Sequence, residues 1–123
     1  MGREKQAVGR AGEEIARHHL QRKGYQVVAA NARTPLGEID LVARHRKTIV
    51  FVEVKTRRSA SLGPPYLSIT PAKKRHMIHS ALYYLKCHGL LRAEWRIDVV
   101  SIKLDDSHKP ERVEHFISAV EDW

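Results

Sequence analysis

A single cysteine, Cys87, among 123 residues rules out an internal disulfide and fits a reducing compartment. Long hydrophobic runs are missing too: the longest stay under about ten residues, half of the ~20 that a membrane span needs. No apolar stretch follows the Met-Gly-Arg-Glu-Lys start, so no secretory signal is read, no membrane partner is expected and the expected address is the cytoplasm. Acidic side chains are the scarcer charge, 14 Asp+Glu against 22 Lys+Arg, a formal +8. The shortage is local. Residues 1–103 carry 20 basic and 8 acidic side chains, net +12, whereas residues 104–123 carry 2 basic and 6 acidic, net −4. A cationic body of this kind attracts polyanions, nucleic acid foremost, although many basic proteins bind nothing specific. The length suits one domain spanning 1–123, with room for one hydrophobic core.

Residues 5–23 read as a helix, with Val8, Ala11, Ile15, Ala16 and Leu20 on one face and Gly24 as its stop. Tyr25 to Asn31 reads as a short strand and Asn31 to Gly37, rich in turn residues, as a loop. Glu38–Arg44 and Thr48–Thr56 are β-rich runs around a tight connection at Arg46-Lys47, which predicts a hairpin. The second run, TIVFVEVKT, is the most apolar part of the chain and should be a central strand. Gly63-Pro64-Pro65 among serines argues for a long mobile loop over 57–70. Pro71 then opens a second helix to about His88, with Met77, Ile78, Ala81, Leu82 and Leu85 as its apolar face. Trp95–Leu104 and Val113–Ala119 complete the strands, the last at an edge. The order αβββαββ predicts an α/β (α+β) fold with a mixed sheet of about five strands flanked by helices.

Glu53 and Lys55, two apart on the central strand, point to one face with Cα atoms about 6.5 Å apart. If the hairpin turns at Arg46-Lys47, Asp40 sits directly opposite Glu53; a three-residue turn would reverse that parity. Two carboxylates so placed repel, and partly buried charge costs several kcal/mol unless paired or metal-bound. A hard divalent cation, Mg²⁺ or Mn²⁺, with phosphate oxygens and waters completing its shell, resolves both problems. The same geometry suits phosphodiester hydrolysis, with Lys55 orienting a water or stabilising charge on the phosphoryl oxygens. The competing structural reading is a salt-bridge cluster on a half-exposed sheet. Glu13 adds a third carboxylate at the border of the first helix's buried face, able to reach toward Asp40 and Glu53 as a third candidate ligand of the same metal site, while Glu14 falls in the polar arc.

Gly12-Glu13-Glu14-Ile15-Ala16, Asn31-Ala-Arg33, Gly37-Glu-Ile-Asp-Leu-Val42, Phe51-Val-Glu-Val-Lys55-Thr-Arg57 and Arg96-Ile-Asp-Val-Val100 together resemble the motif series of the YraN family. These small bacterial proteins are grouped with the PD-(D/E)xK nucleases, whose relatives include Holliday-junction resolvases and restriction endonucleases. The resemblance covers nearly the whole chain. It implies a restriction-endonuclease-like fold, with Asp40 and Glu53 as metal ligands, Lys55 as catalytic lysine and Glu13 as the helix-borne acid. Ile39 stands where the superfamily name has Pro.

Arg57 and Arg58 follow the active strand, and Lys73-Lys74-Arg75 opens the second helix, where the dipole disfavours positive charge; both clusters suit DNA phosphates. Tyr66 could stack on a splayed base. Tyr83, Tyr84 and Trp95 read as core, Asp98 as a structural partner of Arg96 or Arg33, and the eight scattered histidines as solvated or packing residues. The expectation is a metal-dependent endonuclease acting on DNA at branched or recombining structures. A non-catalytic nucleic-acid-binding module and an interaction protein docking an acidic partner remain alternatives. Junction resolvases cut as homodimers, and the 57–70 loop offers a segment that two protomers could exchange, but the sequence holds no decisive dimer signal.

Overall fold

A computed structural model describes residues 2–57 and 69–121, with side chains in the first helix from Gly9 onward. The side chain of Val8, the cation Arg58, the aromatic Tyr66 and most of the expected 57–70 loop lie outside the described residues. The elements are α1 (Gly2–Arg22), β1 (Gln26–Thr34), β2 (Gly37–His45), β3 (Thr48–Arg57), α2 (Pro71–Cys87), β4 (Glu94–Leu104) and β5 (Pro110–Val120). They form the expected αβββαββ order around one five-stranded mixed sheet, β1-β2-β3-β4-β5, an α+β fold. Successive strands pair antiparallel except β3 and β4, which run parallel. Parallel neighbours need a crossover, and α2 lies between them in the chain. Among the described residues no helix is long and apolar enough to cross a membrane.

Each helix covers one face of the sheet. Ala16 and Leu20 of α1 pack on Val50, Val52, Val100 and Ile102, while Ile78, Ala81 and Leu85 of α2 pack on Ile49, Phe51, Ile97 and Val99. Apolar cover on both sides explains why β3 reads as an unbroken hydrophobic run instead of an alternation. Burying each of the Val, Leu, Ile and Phe side chains is worth roughly 1.5–3 kcal/mol. The α1 interface is close as well: a Cβ built on Gly12 would overlap the Thr56 hydroxyl and lie 3.0 Å from Thr56 Cβ, so only glycine lets helix and strand approach there. Tyr84 and Trp95 meet Phe51 edge-on, with ring centroids 5.6 and 6.0 Å apart, as core residues. Tyr83 and Leu82, expected inside, instead lie on the outer arc of α2, 44% and 38% exposed.

The expected loop at 31–37 is a correction. β1 continues to Thr34 and only Pro35 and Leu36 separate it from β2. Asn31, a turn former, adopts φ 52° within a ladder that continues on either side, Ala30 opposite Leu41 and Ala32 opposite Ile39. Thr34 closes the turn: its hydroxyl accepts from the Leu36 N–H at 3.2 Å and donates to the Gly37 carbonyl at 2.8 Å. Gly37, at φ 133°, occupies a conformation that side chains avoid. The same hydroxyl lies 2.8 Å from Ser80 Oγ on α2, pinning the turn to the helix.

Asp98 is fully buried on the α1 face. It accepts from Arg96 Nε at 3.0 Å, as expected, and also from His115 Nε2 at 2.7 Å and the Ser118 N–H at 2.9 Å. The last bond fastens an irregularity in β5, where Ser118 takes φ 52°. Burial pushes the Asp98 carboxyl up, but the His115, Ser118 and Arg96 bonds together outweigh it and hold it below its usual range. With Nε2–H donated to Asp98, His115 Nδ1 is left to accept from Lys23 Nζ at 2.8 Å. Arg96 extends the network to the Tyr25 hydroxyl at 2.7 Å, and His45 stacks on the Tyr25 ring.

Candidate functional site

The two-residue turn at Arg46-Lys47 sets the register of β2 on β3, from His45 opposite Thr48 to Leu41 opposite Val52. The ladder stops there, one step short of Asp40 and Glu53, the next residue on each strand. Beyond that point Asp40 Oδ2 accepts the Val54 N–H at 2.8 Å, so a side chain satisfies a backbone donor where the strands part. Glu53, with a side chain only 15% exposed, receives two cations on one oxygen: Lys73 Nζ at 3.2 Å and Lys55 Nζ at 3.6 Å from Oε1. Lys73 reaches it from the first turn of α2, whose N-cap Thr70 accepts the Lys73 N–H at 3.1 Å.

Burial, first, and the neighbouring Glu53 charge, second, push the Asp40 carboxyl up to about 7, with Glu13 adding to the rise and the Val54 N–H and Lys73 opposing it. Burial and the adjacent Lys73 ammonium lower Lys55 from its ordinary value. Lys73 moves the other way, raised through its contact with Lys55 and by the Glu53 and Asp40 carboxylates, against the cost of burial. The two ammonium groups thus share one Glu53 oxygen, with Lys73 also drawn by the Asp40 carboxylate.

Asp40 and Glu53 form the common floor of two cavities. One, of about 480 Å³, lies between the β1–β2 turn and the first turns of α2; the other, of about 390 Å³, lies between Gly9 and Glu13 of α1 and Val54–Thr56 of β3. Glu13 faces the second cavity and accepts a hydrogen bond from Asn31 Nδ2 at 3.2 Å. The close fit of Gly12 on Thr56 brings α1 near enough to place it there.

Among the described residues no three His, Cys, Asp or Glu side chains are grouped tightly enough to hold an ion by themselves. Two converging carboxylates that burial and mutual repulsion disfavour as a charged pair are the donor set of a hard divalent ion that keeps waters or substrate oxygens in its shell. Asp40 and Glu53 fit Mg²⁺ or Mn²⁺ on that ground, with Glu13 beside the site and not in the cluster.

Of the residues singled out in the sequence, Asp40, Glu53, Lys55 and Lys73 come together and Glu13 lines the same floor. Arg57 closes β3; Lys74 and Arg75 lie on α2 without lining either cavity. Three contributors were not singled out: Asn31 as the holder of Glu13, the Thr34–Ser80 pin, and the Leu36–His76 walls of the larger cavity. Asn31 carried a signal, a turn residue in a strand-like stretch; the pin joins residues 46 apart and had none.

Residues 12–102 match the uncharacterised protein family UPF0102. Among similar chains, a UPF0102 protein of Desulfosudis oleivorans is 46% identical over 104 residues, covering 85% of either chain. One of Geotalea uraniireducens is 46% identical over 115 residues, 94% of this chain and 90% of its own. One of Syntrophotalea carbinolica is 41% identical over 119 residues, 95% of each. The match spans every residue of the carboxylate and lysine cluster, and the chain belongs to UPF0102, the YraN family.

Proposed function

We propose that this protein is a metal-dependent endonuclease that hydrolyses DNA phosphodiesters at branched or recombining structures. The observation that carries this reading is the convergence of Asp40 and Glu53 where β2 and β3 part, with Lys55 and Lys73 on the same Glu53 oxygen. A static salt bridge needs one cation for one carboxylate and no cavity on either side of it. Here two cavities meet at the carboxylates, giving a phosphodiester a route in and out.

Asp40 and Glu53 would hold Mg²⁺ or Mn²⁺, which when bound polarises a phosphoryl oxygen and makes a water more acidic. Lys73 binds a non-bridging phosphate oxygen. Lys55 orients the attacking water or donates to the oxygens on which charge builds. Glu13 bounds the opposite side, its orientation set by Asn31. The scissile P–O bond breaks as the water oxygen bonds phosphorus; the water gives up one proton to bulk solvent and the departing oxygen takes one from it, so the proton count balances. The cationic body supplies long-range attraction for the backbone.

The test is incubation of purified protein with single-stranded, duplex, flapped and four-way DNA in Mg²⁺ or Mn²⁺. Metal-dependent cutting that Asp40→Ala and Lys55→Ala abolish, with DNA affinity kept, supports the reading. Binding without cutting of any substrate would replace it with a non-catalytic binding module.

A further inference from the structure

Beside the carboxylates, the larger cavity is built for something other than phosphate. Its outer wall is Leu36, 44% exposed at the tip of the β1–β2 turn; across from it stand His76 and Met77 of α2, with Glu38 at the side and Lys73 at the floor. An exposed leucine on a free loop would need no explanation. This one is held in place: the Leu36 N–H is bonded to Thr34 Oγ1, which is itself pinned to Ser80 of α2. The apolar wall is thus fixed relative to the helix that faces it. Glu38 has no ion pair among the described residues, and a carboxylate repels phosphate but accepts from the N–H groups of a base edge. At about 480 Å³ the space falls within the roughly 300–1,000 Å³ of small-ligand sites and accommodates one nucleotide. A paired nucleotide would bring a second base and backbone of equal size.

We propose that this cavity is the seat of an unpaired nucleotide: its base lies between Leu36 and the His76–Met77 face of α2 while the adjoining phosphate meets Lys73. The inference rests on the nuclease reading and narrows its substrate to DNA that is single-stranded, flapped or otherwise splayed at the cut. Stacking on a side-chain face accepts any base, so the seat selects first for an unpaired state, with the Glu38 carboxylate favouring bases that present an N–H edge.

The test is fluorescence anisotropy on the wild-type protein in chelator, where nothing is cut, with a labelled single strand, its all-abasic counterpart of equal length and a blunt duplex. The single strand should bind at least about tenfold more tightly than either of the others. Leu36→Ser and His76→Ala, both exposed positions, should each erase most of the advantage over the abasic strand while leaving duplex affinity unchanged. Equal affinity for strand, abasic strand and duplex, or an advantage untouched by both substitutions, would overturn the seat and leave the nuclease reading standing. Binding of none of the three probes would overturn both.

Discussion

Replacing Asp40 with asparagine should make the protein more stable at pH 8, because the site holds two carboxylates where the fold alone would prefer one. The Asp40 carboxyl ordinarily titrates near 3.8 and is pushed up to about 7, by burial first and Glu53 second. Between those values the folded protein keeps a proton that the unfolded chain releases. The associated stability is complete below about pH 4 and is lost as the pH rises through about 7. At about 1.4 kcal/mol per pH unit, the shift sets a ceiling of about 4 kcal/mol on what relieving the charge can return. An amide oxygen still accepts the Val54 N–H, but more weakly than a carboxylate, a loss of about 1 kcal/mol. The expected gain is therefore about 2–3 kcal/mol at pH 8, shrinking toward zero near pH 4. Urea denaturation followed by tryptophan fluorescence at both pH values, without divalent ions, measures it. Equal destabilisation at the two pH values would refute the claim that Asp40 is buried against a like charge. Adding Mn²⁺ at pH 8 should stabilise the wild type and leave the Asn variant nearly unmoved.

Asp98→Ala should cost about 3–5 kcal/mol in urea denaturation, since Arg96 and His115 lose a fully buried partner; a cost under 1 kcal/mol would remove the network from the fold's stability. Because the Asp98 carboxyl is held low, its stabilisation is present above about pH 3.8 and is lost as the pH falls through its folded value, so acid unfolding should be shallower in the Asn variant. Gly12→Ala should destabilise by about 1–3 kcal/mol through overlap with Thr56, and Thr56→Ala in the same chain should recover part of it; a neutral Gly12→Ala would contradict the close approach of α1 to β3. Lys73→Met should weaken DNA binding several-fold at low salt and reduce the log–log salt slope by about 1; an unchanged slope would exclude Lys73 from phosphate contact.

The floor of the site was legible because it depends on parity. A two-residue connection at Arg46-Lys47 leaves one register, and that register carries Asp40 to Glu53 and Lys55 to the same face, with no tertiary information needed. α2 was legible from Pro71 and its apolar spacing, whereas the dipole argument named Lys73, Lys74 and Arg75 alike and only the fold brings Lys73 onto Glu53. What could not be read was contact between distant segments. Asn31, Pro35 and Gly37 suggested a loop, but Asn31 serves a strand irregularity and the others a tight turn held by Thr34 and Ser80. Asp98 was assignable to Arg96, two residues away, whereas His115 and Ser118 arrive from a bulged strand 17 and 20 residues on. Tyr83 was misplaced because a helical face is only as wide as the sheet beneath it.

The most direct measurement is cleavage of a flapped DNA substrate by the wild type and Asp40→Asn, with Mn²⁺ and with chelator, on folded protein verified by circular dichroism. Cutting is expected only from the wild type with metal, while both proteins bind the substrate with similar affinity in chelator. Uncut DNA in every lane despite metal-induced stabilisation of the wild type, or equal cutting by the Asn variant, would contradict a catalytic role for the carboxylate pair.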